Sequence, residues 1–417
     1  MRILKLSPQT ESRLSSSRKS QDVAAHRAAA RIVADVKRRG DVALDAWTRK
    51  LDGVDTSGRK LWISKREFAE ARQRVGRDFL RAIEHAAANV RAVAEKQLPR
   101  AWTFQVEPGV SISQLTRPIE SIGCYIPGGR FALFSTMIMT VVPAQVAGVK
   151  RIVVVCPRAN DELLATADVL GVAQLARAGG AQAVAAMAYG TKRIAAVEKI
   201  FGPGNRFVTA AKQIVSSDCA IDLPAGPTEA IVLARGGNPR FIAADMLAQA
   251  EHAPDAGSYL VTTSSRLAKD VAREIEDQRK RLPASNPAHS SMRKTGAILL
   301  AHSWDDAVSF VNRFAPEHLS LTENSQALLR KIEASGTIFV GPLSAQPFGD
   351  YASGSNHVLP TGGWARRRGG LSITDFVKQI SVQSISSEGY RRLARDVEIM
   401  ARAEGLLAHA NAVEVRR

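Results

Sequence analysis

The sequence SIGCYIPGGRFALFSTMIMTVVPAQVAGVKRIVVVC, residues 121–156, begins and ends with a short apolar run. SIGCYI and RIVVVC have the composition of buried β-strands, and a helical run through 137–147 lies between them. Two short strands on either side of a helix are typical of a β–α–β unit, in which the strands are parallel. The stretch therefore predicts a parallel sheet with crossover helices.

The same alternation continues towards the C-terminus. We predict a helix over 161–178, which ends at Gly179 and Gly180. The segments that follow repeat strand and helix patterns: AQAVAAMAYG, EKIFGPGNRFVTAAKQIV and AIDLPAGPTEAIVLA. After Phe241 a second block contains a helix through 246–250, the strand SYLVTT, another helix and the strand AILLA. Two blocks of this kind predict an α/β protein.

The two ends of the chain have a helical pattern. Apolar residues recur at steps of three and four over 20–51 and again over 65–98, where the pattern breaks near Gly76. The last forty residues, from about Asp375, are also interpreted as helical. The chain has no repeat of fixed period and no low-complexity linker.

The composition is that of a globular protein of 417 residues, 45% hydrophobic and 23% charged, which is long enough for two or three domains. No apolar run reaches the roughly 18–20 residues of a membrane span, and MRILKLSPQTESRL lacks the apolar core of a secretory signal. The 3 cysteines form no CxxC pair, so we expect neither a disulfide framework nor a cysteine zinc site. These features favour the reducing cytoplasm.

The formal charge of +17 raises the question of nucleic acid. The excess is spread over short groups that are far apart in sequence, at 37–39, 279–281, 366–368 and 416–417. No zinc-finger spacing, basic-region heptad or RNA-binding aromatic signature accompanies them. We interpret the charge as a solvated basic surface. A nucleic-acid-binding protein remains a remote alternative, with salt-dependent binding to duplex DNA as its signature.

Common nucleotide and hydrolase motifs are absent from the sequence. There is no GxGxxG fingerprint, no P-loop, no HExxH helix and no GxSxG elbow. If a nucleotide binds, the glycine-rich segments IPGGR (126–130) and FGPGN (201–205) are candidates, because glycine lets the backbone approach a phosphate. Either segment alone is more typical of a simple turn.

Four histidines lie in short polar motifs of the C-terminal part, and two of these motifs carry candidate chemistry on a helix and on a turn. Gln249 and His252 in LAQAEHAPD are three residues apart, so on a helix they share a face and could reach one ion. Glu317 and His318 in FAPEHLSL are adjacent after a proline, which is a plausible arrangement for an acid/base pair. Alone, the first motif is more typical of a polar helix end, and the second is equally typical of a loop before a strand.

FGDYASGSNHVLPTGG (348–363) is the motif most typical of function. It places Asp350 and His357 among glycines and small polar residues, which rarely build a core. EGLLAHANAV offers Glu404 and His409 on a predicted C-terminal helix, where a surface histidine is the simpler interpretation. Because neutral imidazole is a common metal ligand and general base, the four motifs together indicate a metal-assisted site that folding assembles.

In combination these motifs resemble the histidinol dehydrogenase family. The resemblance extends from about residue 20 to the end, in the family's order, and its segments are IGCYIPGGRFALFSTMIMTVVPAQVAGV, GGAQAVAAMAYGT, KIFGPGNRFVTAAK, DLPAGPTEAIV, AQAEHAPDA, APEHL, GDYASGSNHVLPT and EGLLAHANAV. It implies a zinc-dependent enzyme that oxidises L-histidinol through L-histidinaldehyde to L-histidine with NAD, in two steps, as the end of histidine biosynthesis. One zinc ion per subunit is implied.

The resemblance also implies roles for individual residues. The implied zinc ligands are Gln249, His252, Asp350 and His409. The implied catalytic pair is Glu317 and His318. The implied substrate-binding residues are Thr228, Gln249, His252, His318, Asp350, His357, Glu404 and His409. The implied NAD contacts are Tyr125, Gln182 and Asn205. His409 and Glu404 would come from the partner subunit of a homodimer.

The expected fold is α/β, with two related, incomplete Rossmann-like domains, one inserted in the other, in an intertwined dimer. The expected divisions are an N-terminal arm (1–16), a discontinuous main domain with the zinc and catalytic motifs (17–127 and 228–374), an inserted domain on the NAD side (128–227) and a helical C-terminal tail (375–417).

Three positions depart from the family pattern: Thr228 stands where serine is usual, Ser355 where threonine is common, and WARRRGG (364–370) is unusually basic. The basic run could favour a phosphorylated cofactor or be plain surface. A related zinc- and NAD-dependent dehydrogenase of another polyol, such as a sulfopropanediol, is the alternative function. Glu404, His318 and His357 argue against it.

Overall fold

A computed structural model describes residues 1–18, 23–128, 133–223 and 226–417. The stretch quoted above forms the centre of a parallel sheet. In the described residues this sheet has five strands: β4 (Ser121–Tyr125), β5 (Arg151–Val155), β6 (Gln174–Ala176), β7 (Lys199–Phe201) and β8 (Ala220–Ile221). Their spatial order is β6-β5-β4-β7-β8, so the chain reverses direction across the sheet at β4. The predicted parallel sheet is confirmed.

Helices cover both faces of this sheet, which explains why every residue of β4 is buried. One face packs against α2 (Val23–Arg39), α3 (Asp41–Asp52), α8 (Gly180–Tyr189) and α9 (Arg206–Val215). The other face packs against α4 (Lys65–Arg74), α5 (Arg77–Gln97), α6 (Phe134–Ala147) and α7 (Asp161–Val169). The helices predicted over 20–51 and 65–98 are confirmed where the structure describes them, with breaks at Gly40 and Gly76.

A second parallel sheet has the same organisation. Its described strands are β1 (Ile3–Lys5), β9 (Glu229–Leu233), β10 (Gly257–Thr262), β11 (Ala297–Leu300), β12 (His318–Leu321) and β13 (Thr337–Val340). The spatial order is β1-β11-β10-β9-β12-β13, so the chain again reverses direction at its first long strand, β9. The helices around it are α1 (Pro8–Arg18), α10 (Pro239–Ala250), α11 (Ser265–Arg279), α12 (Ala288–Lys294), α13 (Trp304–Phe314), α14 (Gln326–Leu329) and α15 (Gln346–Tyr351).

Two predictions of secondary structure were wrong. The helix expected over 161–178 ends at Val169, because Gly171 adopts a left-handed conformation with φ 66° and the buried Leu175 continues as β6. The C-terminal tail is not wholly helical. Its residues VKQISVQSI form β14 (Val377–Ile385), which pairs with an antiparallel partner over nine residues.

That partner belongs to a small antiparallel sheet with an exposed surface. The described strands β2 (Trp102–Glu107) and β3 (Val110–Pro118) pair with β14 in the order β14-β3-β2. The helices α16 (Ser387–Ala403) and α17 (Leu407–Glu414) follow β14 and pack on each other. The exposed apolar side chains of this region are Trp102, Phe104, Val106, Ile380, Val382, Ile385, Ile399, Met400, Leu406 and Leu407.

The expected domain boundaries can be placed on these elements. β4 precedes the expected start of the inserted domain at 128, yet it pairs with β5 and β7. The N-terminal helices α2 to α5 also pack on this sheet. At the N-terminus, β1 pairs in parallel with β11 of the same chain.

Candidate active site

The amino ends of β9 and β12 bring four of the predicted residues together. His318 is the first residue of β12 and lies beside Ala230 in the register of the two strands. Glu317 and Thr228 immediately precede the two strands. α10 runs back across the sheet from the carboxyl end of β9, so Gln249 near its last turn returns to the same edge.

Hydrogen bonds connect these side chains in a chain. Gln249 Nε2 donates to Thr228 Oγ1 at 2.8 Å, and Thr228 Oγ1 donates to Glu317 Oε2 at 2.5 Å. The backbone N–H of Glu229 donates to the same Glu317 oxygen at 2.9 Å. Glu317 Oε1 has no hydrogen bond among the described residues. One carboxylate oxygen is therefore fixed, while the other remains available to accept a proton.

His318 is buried between two carboxylates. Its Nδ1 lies 3.7 Å from Glu317 Oε2, and its Nε2 lies 3.8 Å from Asp350 Oδ1. Nδ1 has no hydrogen-bond partner among the described residues, and Phe339 stacks on the ring at a centroid distance of 6.0 Å. Burial alone favours the neutral ring, but Glu317 and Asp350 outweigh it and raise the pKa of His318. The imidazole is placed to accept and hold a proton.

The turn before β12 delivers this pair. Ala315 has φ 52°, a left-handed conformation that non-glycine residues rarely adopt, and its N–H donates to Val311 O at the end of α13. Pro316 follows and limits the backbone further. The proline of APEHL thus helps to fix Glu317 and His318 at the start of the strand.

Asp350 lies in the last turn of α15, and His357 lies in the irregular segment that follows, so the polar motif at 348–363 begins as a helix. His357 Nδ1 is 2.7 Å from the Asp350 backbone oxygen, and His357 Nε2 is 3.2 Å from Thr136 Oγ1 on α6. Both ring nitrogens are therefore used within the chain. Burial lowers the pKa of His357. Burial would raise the pKa of Asp350, but the neighbouring His318 outweighs it, so the pKa is lowered and the carboxylate stays charged.

A buried ion pair behind Glu317 was not predicted from the sequence. Arg18 Nε donates to Glu229 Oε2 at 2.5 Å, a second guanidinium nitrogen bonds the other oxygen, and Gly362 N donates to Glu229 Oε1 at 3.1 Å. The guanidinium also lies 3.6 Å over the Phe314 ring. Burial raises the pKa of Glu229 to about 7 against the influence of Arg18. A glutamate within the apolar strand EAIVL was the available sequence signal.

The predicted zinc ligands His252 and His409 are exposed, as is the predicted substrate-binding residue Glu404. The Nδ1 of His252 is 3.0 Å from Ala248 O, while its Nε2 has no hydrogen bond within the part of the chain that the structure describes. Glu404 and His409 are exposed at the ends of α16 and α17, where neither side chain has a hydrogen bond or ion pair among the described residues. Within the described ranges, no group of three or more His, Cys, Asp or Glu side chains could hold a metal ion.

The predicted NAD contacts lie at the carboxyl edge of the five-stranded sheet. Tyr125 ends β4, and its hydroxyl oxygen accepts a hydrogen bond from Gly180 N at 3.1 Å. Gln182 lies in the first turn of α8, and the Asn205 side chain caps α9 by accepting from Phe207 N and Val208 N. Sheets with this strand order bind nucleotides outside the carboxyl ends of the central strands. β4 and β7 are those strands here.

The two glycine-rich segments have different outcomes. In FGPGN, Gly202 has φ 109°, and a Cβ there would lie 2.1 Å from the Tyr125 backbone oxygen, so only glycine fits this close approach. Gly202 therefore allows the backbone that follows β7 to pass close to Tyr125. In IPGGR, residues 129 and 130 lie outside the described residues.

The basic run at 366–368 is bonded to its own chain. Arg368 donates to both carboxylate oxygens of Asp375 at 2.9 and 3.0 Å, and Arg366 donates to Arg313 O at 2.5 Å. Arg367 lies 4.8 Å over the Trp364 ring. These contacts favour the surface interpretation of this run over a cofactor phosphate site. None of the described helices is long and apolar enough to cross a membrane.

Comparisons with known proteins agree on one family. The family model described as histidinol dehydrogenase matches residues 15–417. The histidinol dehydrogenase of Methanothermobacter thermautotrophicus is 45% identical over 392 residues, which cover 92% of each chain. That of Geobacillus kaustophilus is 43% identical, covering 94% of this chain and 93% of its own. The crystal structure of histidinol dehydrogenase from Elizabethkingia anophelis superimposes with a TM-score of 0.94 at 37% identity, covering 100% of this chain and 97% of that one.

Proposed function

This chain belongs to the histidinol dehydrogenase family, and we propose that it oxidises L-histidinol through L-histidinaldehyde to L-histidine in two NAD-linked steps at a zinc site. It is an NAD-dependent oxidoreductase of histidine biosynthesis. The observation that carries the two-step proposal is the buried pair of Glu317 and His318, which offers two separate proton acceptors at one edge.

The donor set of the site fits zinc. Gln249 uses its amide nitrogen on Thr228, so its Oε1 remains as a neutral oxygen ligand. His252 Nε2 has no hydrogen bond among the described residues, and Asp350 is held charged beside His318. With His409 of a second chain these residues supply two nitrogen and two oxygen ligands, a set that zinc accepts. Bound zinc would provide the charge that orients the imidazole and amine of histidinol.

His318 accepts the proton of the substrate hydroxyl as hydride leaves the same carbon for NAD. Its position between Glu317 and Asp350 stabilises the imidazolium that forms. In the second step Glu317 Oε1 accepts a proton from water as the water oxygen adds to the aldehyde carbon. The resulting hydrate anion would lose its hydride, for which a second bound NAD would be the acceptor, and would become the carboxylic acid. Gln249, Thr228 and the Glu229 N–H hold Glu317 in place for this step.

Substrate and cofactor approach from two sheets. Tyr125, Gln182 and Asn205 would bind NAD at the carboxyl edge of the five-stranded sheet. Thr228, His357 and the zinc ligands would line the histidinol pocket. The contact between Thr136 and His357 joins the two regions, since α6 follows β4 directly in the chain. Thr228 keeps the hydroxyl of the serine usual in the family, and its bond to Glu317 supports an unchanged role.

We propose a homodimer in which Glu404 and His409 complete the partner's site. Their exposure and lack of side-chain partners among the described residues support this arrangement, as do the exposed apolar side chains around β14. The proposed NAD-side unit is residues 128–227, inserted between the two parts (17–127 and 228–374) of the unit that carries the catalytic motifs. β4 and the helices α2 to α5 of the first part complete the sheet of this NAD-side unit. An N-terminal arm (1–16) and the tail from 375 would complete the chain. The three buried free cysteines support a cytoplasmic location.

The test is turnover of L-histidinol by the purified, zinc-loaded protein. We expect two NADH per histidine formed, no activity after removal of metal by a chelator, and recovery when zinc is added. A panel with sulfonated diols should give no comparable turnover. Absence of NADH from L-histidinol would contradict the function.

Mixed dimers test the shared site. An inactive His318→Gln subunit is paired with an inactive His409→Asn subunit. Both substitutions then lie in the same active site of the dimer, so the second active site should be intact. If the two sites act independently, the mixed dimer should have about half of the activity of a wild-type dimer. Failure of the two variants to complement would contradict the exchange of His409 across the dimer.

A further inference from the structure

A carboxylate from the N-terminal helices lies at the NAD edge of the five-stranded sheet. Asp52 is the last residue of α3, and α3 packs against α8. Arg158, two residues beyond the buried Cys156 that follows β5, donates to the Asp52 backbone oxygen at 2.8 and 3.2 Å. The end of α3 is thereby fixed beside the carboxyl ends of β4 and β5.

The Asp52 side chain contacts the residue expected to bind NAD. Gln182 Nε2 donates to Asp52 Oδ2 at 2.9 Å. A carboxylate only accepts hydrogen bonds, so it selects the amide nitrogen of Gln182 and turns the amide oxygen the other way. Asp52 therefore decides whether Gln182 presents an acceptor or a donor on its remaining side.

The remaining amide atom has no partner. Gln182 is fully buried, and its Oε1 has no hydrogen bond among the described residues. This oxygen lies over Gly180, where a Cβ would be 2.5 Å from it. Gly180 N is bonded to the Tyr125 hydroxyl, so the oxygen faces the same part of the edge as Tyr125. A buried acceptor without a partner is unfavourable, and a donor on a ligand would offset that cost.

We propose that Asp52 is the positioning residue of the dinucleotide site: it fixes the Gln182 amide so that Oε1 accepts a hydrogen bond from an N–H or O–H group of NAD. This role rests on the proposed NAD site. Asp52 does not touch the nucleotide itself and acts through Gln182. No redox or proton-transfer step is assigned to it.

An exchange of donor and acceptor tests the proposal. The backbone N–H of Gly179 also donates to the Asp52 carboxylate. In Asp52→Asn the one remaining oxygen keeps this hydrogen bond, so the new amide N–H2 faces Gln182, which turns over to accept it and presents Nε2 to the nucleotide. The Kd and KM for NAD should rise about tenfold, the effect of one lost hydrogen bond, while kcat at saturating NAD and the KM for histidinol stay the same. In the double variant Asp52→Asn/Gln182→Glu, the new amide at position 52 donates to the new carboxylate at position 182, whose second oxygen is again an acceptor. NAD binding should recover to within about threefold of the wild type.

The matched control is Asp55→Asn. Asp55 follows in the same loop and is exposed, with Lys60 Nζ 2.7 Å from its carboxylate. It has no contact with Gln182, so the Kd of this variant for NAD should equal that of the wild type. The Kd is measured by fluorescence titration with NAD alone on the zinc-loaded protein, and thermal melting of each variant reports folding.

Several outcomes overturn the proposal. If Gln182→Ala leaves the Kd for NAD unchanged, the proposed NAD site is itself misplaced and the role of Asp52 fails with it. If Gln182→Ala weakens NAD binding but Asp52→Asn does not, the NAD site stands and only the role of Asp52 fails. The same follows if the double variant binds no better than Asp52→Asn. If Asp52→Asn does not fold, the double variant is compared with Gln182→Glu, in which the Asp52 carboxylate faces the new carboxylate at position 182. The double variant must then bind NAD more tightly than Gln182→Glu, and equal or weaker binding overturns the proposal.

Discussion

Apart from the edge strand β1, the two parallel sheets have the same strand order, and their candidate site residues lie at opposite edges. In the five-stranded sheet Tyr125 and Gln182, the proposed NAD contacts, lie at the carboxyl ends of the strands, as expected for this topology. In the six-stranded sheet Glu317 and His318 lie at the amino ends of β9 and β12. Strand order alone therefore does not locate the chemistry of the second sheet.

The carboxyl edge of the second sheet explains part of this difference. There the segments that follow β9 and β13, together with the end of β12, line a small cavity of about 30 Å³. Asp245 and Phe241 of α10 line it, together with the turn at Gly237. The amino edge of the second sheet is instead connected to the five-stranded sheet, because His357 contacts Thr136 of α6. This contact would bring His318, the proposed proton acceptor, close to bound NAD, the hydride acceptor.

The largest expected effect is at the catalytic amino edge. His318→Gln should lower kcat for histidinol oxidation by about 10²–10⁴-fold, the usual contribution of a general base. The Kd for NAD should stay unchanged, because the five-stranded sheet is intact. Steady-state kinetics and NAD titration measure the two quantities, and His302→Gln, an exposed histidine, is the control. A parallel loss of NAD affinity would mean that the two edges do not act separately.

The second effect concerns the ion pair that supports this edge. Arg18→Met leaves Glu229 buried without its cation, beside the charge of Glu317. We expect the free energy of unfolding to fall by about 3–5 kcal/mol, measured by urea denaturation. Arg13→Met, an exposed arginine of the same helix, should change it little. The double variant Arg18→Met/Glu229→Gln should regain much of the loss, since no lone charge remains. Equal loss in the single and double variants would refute this account.

The sequence predicted most of the strands and helices and the residues Glu317 and His318. The parallel strands, most helices and the breaks at Gly40 and Gly76 follow from local patterns of apolar residues and glycine. Glu317 and His318 were identified from their motif, and the structure places them with Thr228 and Gln249. The first part of the tail was mistaken for helix, because the apolar residues of β14 do not alternate in steps of two and the strand forms by pairing with β3.

The supporting contacts could not be read from the sequence. Arg18 meets Glu229 across 211 residues, and Asp52 meets Gln182 across 130. Neither Arg18 nor Asp52 lies in a motif that indicates chemistry, and each gains its importance from the packing of a distant helix. Likewise, the same local strand–helix pattern is present in both sheets, so it does not distinguish the edge proposed for catalysis from the edge proposed for NAD.

The smallest effect tests whether the carboxyl edge of the second sheet is truly unused. Asp245 has no hydrogen bond or ion pair among the described residues, and burial raises its pKa from 3.8 to about 6. Between pH 4 and 6 the folded state keeps a proton that the unfolded chain has released, so stability falls as the pH rises through this window. Asp245→Asn should therefore increase the free energy of unfolding by about 1–2 kcal/mol at pH 8, a value discounted for partial exposure, and by less towards pH 4. Denaturation at both pH values measures the gain, with the exposed Asp305→Asn as control. Histidinol turnover should not change; if it falls, this edge takes part in function and the contrast between the two sheets is wrong.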